Sequence, residues 1–237
     1  MEKAKLYNLI YSYLVRRALC GLTPKNLNKT FARLTRELIE NGVSTEALAK
    51  AFVNQRGDAV RFPADDELRI AIQTKPTYHM FSRKDRLADL LWDIEAATRT
   101  KFSVDTPRPS YISVEHVLPQ TWVTNWVLAD GRRAPADRFT GADEVMLTEI
   151  RARDGAVHTF GNLTLITLIT VAGNSAASNS AFPEKKQWLN LSLLALNHEI
   201  VERDKCGPDA IAERAETIAD RAIEIWPAVP VAATAAM

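Results

Sequence analysis

Three short stretches carry the side chains able to do chemistry: Ser113-Val-Glu-His-Val-Leu-Pro119, His158-Thr-Phe-Gly-Asn-Leu-Thr-Leu-Ile-Thr167 and Asn174-Ser-Ala-Ala-Ser-Asn179. Together they offer a base and hard oxygen ligands, the kit for hydrolysing a phosphodiester. That reaction needs a base to activate water, a cation to neutralise phosphate charge, and a scaffold that holds both in line. His116 is the natural base, because a neutral imidazole accepts a proton near pH 7 without large tuning. Asn162 would lie across a hairpin from it, where its side chain or a backbone carbonyl could orient the ring. Asn174 and Asn179 offer amide oxygens suited to magnesium or manganese. Glu115 could complete a metal site if a bulge turned it to the same side as its neighbour.

The elements that must position these residues are legible from apolar spacing. The first hundred residues read as helices: one with Leu6, Leu9, Ile10, Tyr13 and Leu14, then one opened by Thr23-Pro24 and ended by Asn41-Gly42. A third is capped by Ser44, a fourth begins at Asp65-Asp66-Glu67, and a fifth carries Leu87, Leu90, Leu91 and Ile94. Tyr111, Ile112 and Val114 are strand formers closed by Pro119, and Leu163, Leu165 and Ile166 make a second strand. Between them runs a long connection, residues 121–157, with a short helix expected around Val145–Arg151. Pro183 opens a helix bearing Trp188, Leu189, Leu193, Leu194 and Leu196, and Pro208 opens the last one. The expected fold is mainly α (α+β), a helical domain with a two-stranded hairpin set into its middle. Residues 1–100 form a helical subdomain, 101–227 the hairpin-bearing one, and 228–237 a frayed tail.

Composition narrows the setting. Thirty basic and twenty-nine acidic residues leave a net charge of +1, so any nucleic-acid-binding surface has to be local. Cys20 and Cys206 sit in no CxxC pattern, so neither a cysteine zinc cage nor a disulfide framework is indicated. No long apolar run or signal-peptide core occurs, so a soluble, cytoplasmic protein with no membrane partner is expected.

Glu115-His-Val-Leu-Pro-Gln120, Gly161-Asn-Leu-Thr-Leu-Ile-Thr167, Asn174-Ser-Ala-Ala-Ser-Asn179, Phe182-Pro-Glu-Lys-Lys186 and the ending Ile211-Ala-Glu-Arg-Ala215 with Ile225-Trp-Pro227 resemble the C-terminal domain of GmrSD-type restriction endonucleases. That domain belongs to the HNH, or His-Me finger, nuclease superfamily, and the resemblance extends over nearly the whole chain. It implies a ββα-metal motif with His116 as general base, Asn162 on the second strand, and a helix asparagine on the metal. That asparagine is Asn174 or Asn179, an alternative kept open by the extra residues Leu168-Ile-Thr-Val-Ala-Gly173. The resemblance also implies a modification-dependent system of bacterial defence against phage, and an N-terminal NTP-hydrolysing ParB-like domain whose motif is missing from this chain.

The function expected is metal-dependent DNA nicking with one divalent cation, Mg2+ or Mn2+, on Glu115, Asn174 and Asn179. The alternative is a catalytically inactive DNA-binding or regulatory module linked to an NTPase; an RNA-directed nuclease ranks third. DNA contacts are expected from Arg132, Arg133, Lys185 and Lys186, with Arg138, Arg151 and Arg153 as further candidates. Taken singly, each residue has a plainer reading: a hairpin histidine, a turn asparagine, helix caps, a charged helix face. His158 is a candidate companion of the base, His79 and His198 read as structural, and Trp122 and Trp126 as core rather than base-stacking residues. Arg16-Arg17 would face a neighbouring domain. A dimer is compatible with the sequence.

Overall fold

The computed structural model describes residues 2–101, 107–167 and 179–229. The described chain is mainly helical with one small sheet. It divides into two units, Met1–Ile72 with Ala219–Met237, and Gln73–Ile218.

The first unit is built on α1 (Glu2–Leu19), α2 (Leu27–Asn41) and α3 (Thr45–Val53), with the start of α4 (Asp65–Thr74). Their apolar faces meet around Tyr13, Leu34, Leu48 and Phe52, with Phe31 and Phe62 packed against them. The Tyr13 and Phe52 rings lie 4.5 Å apart. Ser44 caps α3 by accepting from the Ala47 N–H at 3.1 Å, as its position in the sequence predicts. Pro24 does not open α2: the helix starts at Leu27, after Asn26 takes a left-handed φ of 68°, so the proline belongs to the preceding turn.

Arg16 and Arg17 also depart from expectation. Both are buried within this unit. Arg16 donates to the Trp226 and Pro63 carbonyls at 2.6 and 3.1 Å and to the Asp65 carboxylate at 2.5 Å. Arg17 donates to the carbonyls of Thr23, Asp58, Ala59 and Arg61. A guanidinium's fan of donors satisfies several loop carbonyls at once, so these arginines tie the unit's irregular backbone together rather than facing outward.

The second unit holds the hairpin. It contains α5 (Thr77–Met80), α6 (Lys84–Thr98), β1 (Ile112–His116), α7 (Trp122–Asn125), α8 (Glu144–Ala156), a 3-10 turn (Phe160–Asn162), β2 (Leu163–Thr167), α9 (Phe182–Leu191), α10 (Ala195–Glu202) and most of α11 (Pro208–Ile225). β1 and β2 pair antiparallel, Ile112 opposite Thr167 and His116 opposite Leu163. Every residue of β2 is buried, the threonines Thr164 and Thr167 included, so the strand presents no solvent-facing side. The core around it includes Val117, Leu118, Trp122, Trp126, Ile150, Ile166 and Phe182, so both tryptophans pack inside.

The long connection carries α7 and α8, and Asp143 caps α8 by accepting from Met146 N–H at 2.8 Å. The helix expected from Pro183 is two helices. Leu193, with φ 54°, breaks the chain between α9 and α10, and the buried Glu95 carboxylate of α6 accepts from the Ala195 and Leu196 N–H groups at 3.2 and 2.7 Å. A buried acceptor at a helix start stabilises that start where no side-chain cap exists.

Candidate active site

β1 ends at His116, and the chain beyond it is held by Asn162. The Val117 N–H donates to the Asn162 carbonyl at 2.8 Å. The Asn162 side chain accepts from Leu118 N–H at 2.7 Å and donates to the carbonyls of Leu118 and Val157 at 2.9 and 2.7 Å. Its amide oxygen and both amide protons, fully buried, are engaged by backbone. Asn162 therefore fixes the backbone just beyond the base and does not touch its ring through these bonds.

Gly161, one residue earlier, sits against α11. A Cβ there would fall 2.6 Å from the Ile211 carbonyl oxygen and 2.7 Å from the Ala215 Cβ, so the close approach admits only glycine. Buried Arg214 of α11 donates to the Gly161 and Leu163 carbonyls at 2.6 and 2.8 Å. Burial pushes this guanidinium down to about 10.

The His116 ring is 6% exposed, and its Nε2 is buried without a hydrogen-bond partner. Aromatic rings surround it: Tyr78 edge-on with centroids 4.3 Å apart, and His158 edge-on at 5.4 Å. His79 in turn lies 3.8 Å from His158. Burial first, and then the basic neighbours His158, Lys185, His79 and Lys84, push His116 down to about 3, so the ring is neutral at pH 7. Burial, His79 and Lys84 likewise lower His158. Three of the chain's four histidines thus share one place. Tyr78, His79 and Lys84 were not singled out as site residues from sequence. The scarcity of histidine was the one available signal, and nothing local to residues 77–80 announces a four-residue helix docked on a distant strand.

Glu115 alternates to the other face of β1. Its Oε1 accepts from Lys185 Nζ of α9 at 2.7 Å, and both side chains are buried. Asn179 is exposed; its Oδ1 accepts from Thr121 Oγ1 at 2.7 Å and its carbonyl from Asn125 Nδ2 at 2.6 Å. Asn174 lies outside the described residues. Among the described residues no group of three or more His, Cys, Asp or Glu side chains is placed to hold a metal ion. A hard cation beside His116 does not fit Glu115 as it stands, because that carboxylate is committed to an ammonium on the far face of the strand.

The expected DNA contacts are distributed differently. Lys185 is buried in the Glu115 pair, and Lys186 donates to the Arg203 carbonyl at 2.7 Å. Arg132 is exposed and bridges Asp130 and Asp143, while Arg133 donates to the Thr124 carbonyl. Arg138 pairs with Asp154, Arg151 with Glu144 and Arg153 with Glu149. A cleft of about 940 Å3 in this unit is lined by Trp126, Leu128, Phe182, Pro183 and Cys206 and includes none of the three clustered histidines, so cavity size and chemistry part company here. Among the described residues no helix is long and apolar enough to cross a membrane.

A family model described as GmrSD restriction endonucleases, C-terminal domain, matches residues 62–221, more than half of the chain. No curated protein and no solved structure matches it.

Proposed function

Because the chain belongs to the GmrSD restriction endonuclease C-terminal domain family, we propose that it is a DNA endonuclease module whose general base is His116. The observation that carries this reading is the seating of that residue. An imidazole stands at a strand end with its Nε2 left without a protein partner, and Asn162 and Gly161 lock the backbone just beyond it and at the junction to β2. The ring accepts a proton from the attacking water as the water oxygen bonds to phosphorus and the leaving oxygen departs. One such site severs one strand, so nicking is the elementary event and a double-strand break takes two of them.

The HNH assignment, magnesium or manganese as the cation, and a role in restriction of modified phage DNA belong to the same proposal. A divalent ion, held through Asn174, would neutralise charge on the phosphate. Recognition of a DNA modification would then rest largely on an NTPase partner.

The test is conversion of supercoiled plasmid to open circle by wild type and His116→Ala, with magnesium, manganese or EDTA. Metal-dependent nicking that the substitution abolishes is expected. Nicking by His116→Ala at the wild-type rate would sink the base assignment. A salt-sensitive gel shift without nicking by any protein or metal would favour the inactive binding module.

A further inference from the structure

The histidine cluster extends past the base in a direction the nuclease motif does not require. Exposure rises stepwise along it: His116 is buried, His158 half-buried and His79 exposed. His158 Nδ1 is buried without a partner, so part of that ring's hydrogen-bonding capacity is not spent inside the protein. α5, the carrier of His79, is clipped in place at both ends. Tyr78 N–H donates to the His158 carbonyl at 3.1 Å, and Lys84 Nζ donates to the carbonyls of Tyr78 and, at 2.6 Å, Phe81. The same ammonium lies 3.9 Å from the Tyr78 ring centroid. The strongest electrostatic influences on His116, from His158, Lys185, His79 and Lys84, all come from basic side chains. Ring N–H donors in basic surroundings, with His79 exposed to solvent, suit an anion.

We infer that His79 and His158 form the seat of the scissile phosphate, with His79 donating an N–H to a non-bridging phosphate oxygen on the solvent side of the base. This rests on the nuclease reading and deepens it by adding a substrate-contacting residue from α5, an element outside the hairpin. Preorganised donors of this kind hold the phosphorus within reach of the base before the reaction begins.

The test separates the seat from the base. Binding of a fluorescent duplex oligonucleotide is followed by anisotropy in EDTA, in a His116→Ala background, with His79→Gln, His79→Lys and His158→Gln added singly and His198→Gln as a surface control. His79→Gln and His158→Gln are expected to weaken binding about tenfold each, as loss of one charge-assisted hydrogen bond should. His79→Lys retains affinity, and His198→Gln leaves it unchanged. Thermal melting of each variant serves as the folding control, and His79 is exposed enough for its substitutions to leave melting unmoved. Unchanged affinity in His79→Gln overturns the inference even if His116→Ala has abolished nicking. A tenfold loss in a protein whose wild type does not nick leaves the phosphate seat standing and removes the base. Failure of the background protein to bind duplex at all overturns both.

Discussion

His116 carries the clearest pH signature in the molecule. The unfolded chain protonates this residue near pH 6.5, whereas the folded ring resists protonation down to about pH 3, first because it is buried and then because its neighbours are basic. The folded pKa is depressed, so the unfolded state binds the extra proton. The contribution to stability is whole above pH 6.5 and declines as pH falls from 6.5 towards 3, by about 3 kcal/mol at pH 4. Urea titrations at pH 7 and pH 4 should show that loss in wild type and a loss smaller by this amount in His116→Gln; equal losses in the two would refute it. Across the strand, Glu115 and Lys185 raise a separate question, because a buried pair broken on one side leaves a charge uncompensated. Lys185→Met should cost about 3–5 kcal/mol, and the double change Glu115→Gln with Lys185→Met should recover most of it. If Glu115→Gln instead shifts the magnesium concentration for half-maximal nicking and leaves stability alone, the carboxylate serves the metal and not the lysine. Sequence spacing put Glu115 and His116 side by side but on opposite strand faces, and that much was legible. That a lysine expected to meet DNA would occupy the carboxylate was not, because the register between α9 and β1 is a tertiary fact.

At the scale of elements, the hairpin is only as good as the junction that delivers β2 to β1. Gly161 lets the 3-10 turn press on α11, and Asn162 ties the Leu118 backbone, just beyond His116, to the Val157 carbonyl. Gly161→Ala would drive a methyl into a helix carbonyl and a neighbouring Cβ, an overpacking cost of about 1–3 kcal/mol. Asn162→Ala would orphan buried backbone groups at Leu118 and Val157, for about 3 kcal/mol. Chemical denaturation should rank both well below wild type. An Asn162→Ala protein that loses nicking at full stability would show that the amide acts on the reaction and not through the fold. The Gly-Asn pair was visible in sequence, but its plain reading was a turn; the partner that makes the glycine obligatory lies far along the chain on α11. Helix periodicity located most of the larger helices and the hairpin, because buried stripes leave a period. It missed α5, whose four residues cannot show one, and the break at Leu193, where a left-handed residue sits inside a leucine-rich stretch.

Charge at the scale of the whole molecule sets how any polyanion is held. Thirty basic and twenty-nine acidic residues cancel almost completely, and the structure shows the cancellation is local as well as global. Of the cations expected to meet DNA, Lys185 is buried against Glu115, Arg132 is shared between Asp130 and Asp143, and Arg138, Arg151 and Arg153 each have a carboxylate. Each of these is already neutralised by its own protein, so it displaces few counterions when a phosphate arrives. A nuclease that gripped DNA through all of them would lose affinity steeply with salt. This chain should not: a log–log slope of about −3 or shallower is expected, which between 50 and 200 mM salt amounts to a loss of about sixtyfold at most. Anisotropy titrations across that range measure it directly. A slope of about −6 or steeper would mean that the ion pairs open on binding and that the grip is spread over the arginine-rich connection. A shallow slope with affinity still sensitive to His79 would put the hold on the backbone at the reacting phosphate itself, where geometry rather than net charge does the positioning.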